Sequence, residues 1–415
     1  MREGRYRNLK SNASDFAFKI LKEDKDSRAR LGVIKTRRGY IDTPYFVPVA
    51  TLASVRALGS DDLAALGVQC ALANTYHLHL KPGDELIKKL GGLHRFMAFD
   101  RPILSDSGGF QAFSLGCGRE DNINKIGGVF PHRRTTVENE ENVVKKENLT
   151  KITDQGISFK SVYDGTWQFL DARTSMQIQS NLGSDVIMAF DECTSPLSDY
   201  DYTKEAMKRT HEWARLSLKH HDVSQAIYGI IQGGWFEDLR AEGTEFIKSL
   251  PFDGMAIGGS LGNCKKDMHQ VLDWVVPQLD DRPRHLLGIG QVDDIFECVE
   301  RGVDTFDCVF PTRVARRGGA FISPESGGRP DNKFRINIKS AQFKDDGTPI
   351  DTNCRCPTCS RYMRAYLRHL YLASELSYFR LVSVHNLHFM QRLMQEIRES
   401  INNGTFMELK ERWLG

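Results

Sequence analysis

Short apolar runs alternate along this chain with longer stretches in which apolar side chains recur every third or fourth position. That alternation is the pattern of strand–helix units feeding a parallel sheet. Eight runs carry the strand signal, at 45–50, 69–73, 102–104, 185–190, 227–231, 254–257, 285–289 and 304–309. Eight units over about 270 residues predict an α/β fold, a closed (β/α)₈ TIM barrel, at a length close to that fold's usual size. A doubly wound open sheet competes with it and loses ground, because no Gly-x-Gly-x-x-Gly follows the first run.

The remaining chain sorts around that barrel. Residues 1–30 read as a polar N-terminal edge segment, with an edge strand at about 16–20. Residues 31–330 read as the catalytic barrel, and 331–415 as a metal-binding subdomain with closing helices. The window 119–153 is mixed-charge and poor in large apolar side chains, which predicts a surface insertion in the barrel. The residues that end the runs are Asn74, Asp106-Ser107-Gly108-Gly109, Asp191-Glu192, Gln232-Gly233-Gly234, Gly258-Gly259, Gly288-Ile289-Gly290 and Asp307. In a barrel these ends converge on the face where sites are built, and glycines there let a flat ligand approach the backbone.

Composition narrows the class. A hydrophobic share of 40% and a charged share of 27% describe a globular chain with ample core. With a net charge of only +2, a nucleic-acid partner would have to be held by a local basic patch. The N-terminus opens on no apolar signal region and no run reaches membrane-spanning length, so a cytoplasmic protein is expected. The nine cysteines are thinly spread except at one place, which argues against a disulfide framework.

That place is Cys354-Arg355-Cys356-Pro357-Thr358-Cys359, followed by His385. Three thiolates and one imidazole make a closed tetrahedral set, the arrangement of a structural Zn²⁺ site with no position for a reacting water. His388, one helical turn from His385, competes as the fourth ligand, and an iron–sulfur site is the alternative reading. Beyond the cluster, Arg361, Arg364 and Arg368 would share one face of a helix, and Arg313, Arg316, Arg317 and Arg329 precede them. Together they form a candidate tract for a nucleic-acid backbone.

The chemistry is expected elsewhere. Asp307 closes a strand-forming run, and a proline and a basic, glycine-rich segment follow it. A carboxylate fixed at a strand end is well placed to act as a nucleophile. Asp106 sits on another strand end of the same face, and paired carboxylates suit an oxocarbenium-like centre. Asp191 and Gln232 offer acceptors and a donor to the edge of an amide-bearing heterocycle, and Gly259 offers backbone without a side chain in the way. Phe110 and Leu287 could sandwich a planar base. From the residues alone, a barrel enzyme acting on a ribosyl–base bond in RNA and a sugar hydrolase both stay open.

At this point the sequence closely resembles the tRNA-guanine transglycosylase (queuine tRNA-ribosyltransferase) family, from about Leu31 to about Met394. The motifs that carry the likeness are Asn74-Thr75-Tyr76-His77-Leu78, Asp106-Ser107-Gly108-Gly109-Phe110-Gln111, Phe190-Asp191-Glu192-Cys193-Thr194, Ile231-Gln232-Gly233-Gly234, Phe306-Asp307-Cys308-Val309-Phe310-Pro311-Thr312-Arg313 and the Cys/His cluster. The resemblance implies that Asp307 attacks C1′ of the wobble guanosine of GUN-anticodon tRNAs. Guanine would leave and a 7-deazaguanine base, queuine or preQ1, would replace it. It makes Asp106 the general acid/base. Asp191, Gln232, Gly259 and Ser107 would contact the heterocycle, with Phe110 and Leu287 flanking it and Gly262 near its 7-substituent. It assigns Arg313, Arg316 and Arg317 to the anticodon loop, and Cys354, Cys356, Cys359 and His385 to one structural zinc. It also implies a homodimer, and no organic cofactor is expected.

Two departures matter. The insertion after Leu115 is longer than the family's usual loop. In Gly258-Gly259-Ser260-Leu261-Gly262-Asn263-Cys264, Gly262 stands where bacterial members usually have Val and Cys264 where they have Glu. A missing isopropyl group and a missing acid both favour a bulkier base, so queuine is expected over preQ1. A non-catalytic tRNA-binding paralogue, a metal-dependent barrel hydrolase and an archaeal-type enzyme acting in the tRNA core are the rival readings. The two aspartates argue against the first, the lack of a His-x-His on the first run against the second, and the short chain beyond the cluster against the third.

Overall fold

Runs of Val, Ile, Leu and Ala that must be dry on both faces are satisfied by a parallel sheet with helices outside and packed side chains inside. The computed structural model describes residues 15–113, 150–262 and 264–415, and all eight runs appear there as strands. They are β1 Tyr45–Ala50, β2 Ala71–Ala73, β3 Ile103–Ser105, β4 Val186–Met188, β5 Ala226–Ile231, β6 Gly254–Ile257, β7 Arg284–Leu287 and β8 Thr305–Cys308. Each pairs in parallel with the next, and β8 closes on β1 with Thr305 opposite Tyr45. The fold is a (β/α)₈ barrel. The second run starts two residues late for a local reason. Gln69 gives its backbone N–H to the Tyr45 hydroxyl (2.7 Å) and its side-chain amide to Asp42 (2.9 Å), so the ladder begins at Ala71.

Side chains alternate across each strand, and that alternation sorts the core into two. Tyr45, Val47, Leu72, Leu104, Met188, Tyr228 and Ile230 fill the barrel interior. Phe46, Ala71, Ile103, Ile187, Ile227, Ile257, Leu286 and Phe306 face the surrounding helices. On β8 the inward positions are Thr305 and Asp307, either side of outward Phe306.

An antiparallel sheet of Ala17–Glu23, Arg30–Thr36 and Gly39–Thr43 precedes β1 and sends Phe16, Ile34 and Ile41 into the interior cluster. Phe16 meets Tyr228 edge-on at 6.0 Å. Arg30 forks onto Asp304 at the foot of β8 (2.8 and 2.6 Å), and Asp304 also accepts the backbone N–H of Arg284 (2.7 Å). Both members of this pair are buried. Desolvating two charges is offset only by such complete hydrogen bonding, so the pair acts as a register pin for the β7–β8 foot. Of the mixed-charge window, 119–149 lies outside the described residues. Its end, Thr150–Thr153, pairs with Gly156–Lys160, and that strand with Trp167–Leu170.

After β8 come a short helix, Phe310–Arg316, and a hairpin of Gly319–Phe321 with Arg335–Asn337. Three closing helices follow, Arg364–Leu372, Leu376–Asn403 and Phe406–Leu414. The long helix is tied to the barrel by polar side chains. Gln391 donates to the Phe46 carbonyl (3.1 Å) and Arg398 to the Pro44 carbonyl (2.8 Å). Asn386 holds Phe321 N–H, Pro311 O and Gly319 O at 3.0, 3.0 and 3.2 Å. Among the described residues no helix is long and apolar enough to cross a membrane.

Candidate active site and metal cluster

The C-terminal ends of the strands open into a cavity of about 850 Å³ whose lining includes both Asp106 and Asp307. Asn74, His77 and Phe110 line it on the β2 and β3 side, and Gly288, Gly290 and Arg313 on the β7 and β8 side. Asp106 is fixed by its neighbour strand. Its Oδ1 accepts the Thr75 N–H (2.9 Å) and its Oδ2 the Asn74 amide (2.5 Å). Asp307 is fixed from behind. Its Oδ1 accepts the backbone N–H of Gly288 (3.1 Å) and lies 3.1 Å from His285 Nε2. Two carboxylates on opposite walls of one cavity, each oriented by donors, can divide bond-making from proton transfer.

The predicted base-edge residues form a second group. Ser107 Oγ donates to Asp191 Oδ1 (2.8 Å) and Gln232 Nε2 to Asp191 Oδ2 (2.7 Å), all three buried. The Gln232 Oε1 atom is buried with no hydrogen-bond partner, and a Cβ built on Gly259 would lie 2.1 Å from it. Gly259 also has φ +79°, so both the backbone and the space demand glycine. Asp191, Gln232, Ser107, Gly259 and Leu287 are not among the residues that line this cavity.

The structure gives Gly262 a different reason from the one the sequence offered. Its φ is +89°, and a Cβ there would fall 2.2 Å from the Cβ of Asp267. A turn that Asp267 closes therefore requires glycine at this position. Asp267 caps the helix Lys265–Val275, accepting the Cys264 N–H at 3.1 Å and the Cys264 thiol at 3.0 Å.

The basic side chains divide. Arg361 lies in the turn before the helix Arg364–Leu372, so it does not share a helical face with Arg364 and Arg368. Arg364 is spent on Asp346 (3.1 Å) and the Ile350 carbonyl (2.8 Å), and Arg368 on the Ser340 carbonyl (3.0 Å). Arg329 pairs with Asp331. Arg364 and Arg368 are structural ties, and the predicted face does not form. Arg313 and Arg317 instead line the cavity, and the neighbouring Arg316 has Nη1 buried with no partner among the described residues. Burial, then Arg56, Arg313 and Arg317, hold the Arg316 guanidinium below its ordinary pKa. Arg56 was not singled out by sequence reading, and it also helps burial hold His77 below the usual imidazole range. Crowded guanidiniums with a buried unpaired donor form a site with an electrostatic preference for an anion.

Arg240 went unread as well. It is fully buried in the helix Glu237–Ser249, and its fork donates only to carbonyls: Gly234 and Ile231 (2.8 and 3.0 Å), Gly258 and Ser260 (3.0 and 2.8 Å). Burial pulls its pKa down to about 10. One side chain thus staples the loop carrying Gln232 to the loop carrying Gly259. Its sequence signal was a cation in step with Gly243, Thr244 and Ile247 on the buried side of an amphipathic helix.

In the C-terminal region, Cys354, Cys356, Cys359 and His385 bring four ligand atoms within 4.8 Å of one another. His385 Nδ1 lies 3.6, 3.6 and 3.2 Å from the three sulfurs in turn. Its Nε2 is 2.7 Å from the Phe321 carbonyl, which only accepts, so Nε2 carries the hydrogen and Nδ1 presents a lone pair. His388 reaches Cys354 alone, at 3.4 Å. Uncompensated thiols this close cannot all ionise. Hydrogen bonds from Cys356 and Cys359 drive Cys354 far down, while Cys354 and Cys356 push Cys359 far up. A cation at the centre would remove that conflict.

The sequence model described as queuine tRNA-ribosyltransferase matches residues 24–415. The chain belongs to the queuine tRNA-ribosyltransferase family. A relative from Archaeoglobus fulgidus is 55% identical over 392 residues, spanning 94% of this chain and 97% of its own. The queuine tRNA-ribosyltransferase of Roseiflexus sp. (strain RS-1) is 45% identical over 413 residues, covering 96% and 99% of the two chains. That of Caldanaerobacter subterraneus subsp. tengcongensis is 42% identical over 401 residues, covering 96% of each. Membership makes this chain an enzyme, a pentosyltransferase of the tRNA-guanine transglycosylase type.

Two outcomes test this reading of the supports. Arg240→Lys cannot reproduce the fork, and stranding several buried carbonyls should lower unfolding free energy by roughly 2–4 kcal/mol in a denaturant titration. His385→Ala should strip bound metal from the purified protein, whereas His388→Ala should leave the metal content unchanged, as read by elemental analysis.

Proposed function

We propose that the enzyme exchanges the wobble guanine of GUN-anticodon tRNAs for a 7-deazaguanine base through a covalent Asp307–tRNA ester. The observation that carries the reading is that Asp106 and Asp307 line one cavity whose mouth bears Arg313 and Arg317. In the first half-reaction an Asp307 oxygen bonds to C1′ as the C1′–N9 bond breaks, and Asp106 supplies the proton that guanine needs to leave. In the second, the incoming base loses its proton to Asp106 and attacks C1′, returning the electron pair to the Asp307 carboxylate. A heterocycle entering beside Asp191 would take over the hydrogen bonds now made by Ser107 and Gln232 and give the Gln232 carbonyl a partner. Phe110 and Leu287 would flank it, and Arg313, Arg316, Arg317 and Arg56 would hold anticodon-loop phosphates.

The metal we assign to the Cys354, Cys356, Cys359 and His385 cluster is zinc. Tetrahedral bonds of roughly 2.3 Å to sulfur and about 2.0 Å to nitrogen separate S from N by about 3.5 Å. Nδ1–Sγ distances of 3.2 to 3.6 Å fit that spacing. The role is structural, since four protein ligands fill the shell and the cluster lies away from the residues lining the cavity. For the incoming base we favour queuine. Gly262 no longer supports that preference, which rests on Cys264 offering no carboxylate for the small ammonium group of preQ1.

A denaturing gel of enzyme, tRNA and a slow base analogue should show a covalent protein–RNA band, absent from Asp307→Ala. Loss of the band with turnover intact would sink the proposal. Labelled-guanine displacement from tRNA should run faster with queuine than with preQ1, and the reverse order would reject the argument from Cys264.

A further inference from the structure

His285 has no part in the mechanism so far, although it touches the proposed nucleophile. It is fully buried on β7, points into the barrel and stands opposite Thr305 in the parallel ladder, one inward position below Asp307. Its Nδ1 is 2.9 Å from Thr305 Oγ1 and its Nε2 is 3.1 Å from Asp307 Oδ1. A carboxylate accepts and does not donate, so Nε2 carries the hydrogen. The Thr305 hydroxyl can then donate to Nδ1 and fix the ring's orientation. The Gly288 N–H converges on the same oxygen.

We propose that His285 is the positioning residue of the nucleophile and favours release of the ester in the second half-reaction. The proposal rests on reading Asp307 as the nucleophile. Two donors hold the Asp307 carboxylate at Oδ1. The two half-reactions are not affected equally. Negative charge leaves Asp307 when its attacking oxygen bonds to C1′ and returns when N9 of the incoming base displaces it, the base's proton passing to Asp106. A fixed donor binds a carboxylate more strongly than an ester carbonyl. His285 therefore favours the departure of Asp307 from C1′ and keeps the intermediate from accumulating.

The test compares His285→Phe, His285→Gln and His285→Asn in the full-length enzyme with tRNA and base, with Asp307→Ala alongside. Phe keeps a flat ring without a donor. Gln puts an N–H where Nε2 stood, and Asn puts one only where Nδ1 stood. For Phe and Asn, kcat should fall about ten- to hundredfold, the size expected for one charge-assisted hydrogen bond. KM for tRNA should stay near wild type, and the steady-state fraction of covalent adduct should rise. Gln should recover most of the turnover and the low adduct fraction. The inference is overturned if Phe turns over like wild type, if adduct and turnover fall together, or if Asn performs as well as Gln. Should Phe fail to fold, the Gln and Asn pair still decides. Full exchange by Asp307→Ala would sink the nucleophile reading and this inference with it. An inert Asp307→Ala beside an unchanged His285→Phe would sink only the role of His285.

Discussion

Closure of a parallel barrel forces every second side chain of every strand inward, and the chemistry of this enzyme depends on that constraint. Most inward positions are apolar and pack, among them Tyr45, Val47, Leu72, Leu104, Met188 and Tyr228. On the last two strands the same parity turns Asp307 inward at the C-terminal end of β8 and His285 inward one position below it on β7. Polar groups at that depth persist because each is engaged: Asp307 by Gly288 and His285, His285 by Thr305, Asp191 by Ser107 and Gln232. A shift of one residue in the β7–β8 register would turn Asp307 outward into the helix layer. The Arg30–Asp304–Arg284 contact at the foot of those strands opposes such a slip.

The barrel was legible because runs buried on both faces are continuous and apolar, and all eight became strands. The two aspartates proposed for catalysis were legible for a related reason. A lone acid at the end of such a run has no packing role, so it stands out. Arg240 and His285 did not, because their meaning lies in partners across the fold: four carbonyls on two loops for one, a carboxylate on the next strand for the other. Reading Arg361, Arg364 and Arg368 as one helical face failed on a boundary. The helix starts at Arg364, and side chains free in sequence turned out to be committed to Asp346 and to backbone carbonyls. At Gly262 the structure adds a reason that the sequence did not show. A glycine beside a site suggests room for a ligand, but the positive φ and the nearness of Asp267 already require it.

The Cys/His cluster and the carboxylate-lined cavity share no residue yet are mechanically joined. His385 and Asn386 are neighbours on the long helix Leu376–Asn403. His385 faces the three cysteines and hydrogen-bonds the Phe321 carbonyl, while Asn386 takes the Phe321 N–H and donates to Pro311 and Gly319. Pro311 opens the short helix that carries Arg313 and Arg316. Fixing His385 by coordination therefore fixes the strand at Phe321 and, through Asn386, the start of the arginine-bearing helix. A structural ion can in this way set the aim of side chains it never touches.

Those arginines also explain how a chain with a net charge of only +2 could hold a polyanion. Overall charge governs the distant field, but affinity for phosphates is set within about a Debye length, roughly 8–10 Å at physiological salt. At that range Arg316 feels Arg56, Arg313 and Arg317 together, and its buried Nη1 lacks a partner. Holding like charges together costs stability in the free enzyme, and a phosphate entering among them would relieve the repulsion and satisfy the donor at once. If these arginines hold phosphates as proposed, a free nucleoside could fill the base site but would leave the guanidiniums without an anion, so the site would discriminate against it. On this argument the demand for a polynucleotide substrate would come from Arg56 and the arginines beyond β8, which leaves the groups within the barrel to distinguish the base and carry the proposed chemistry.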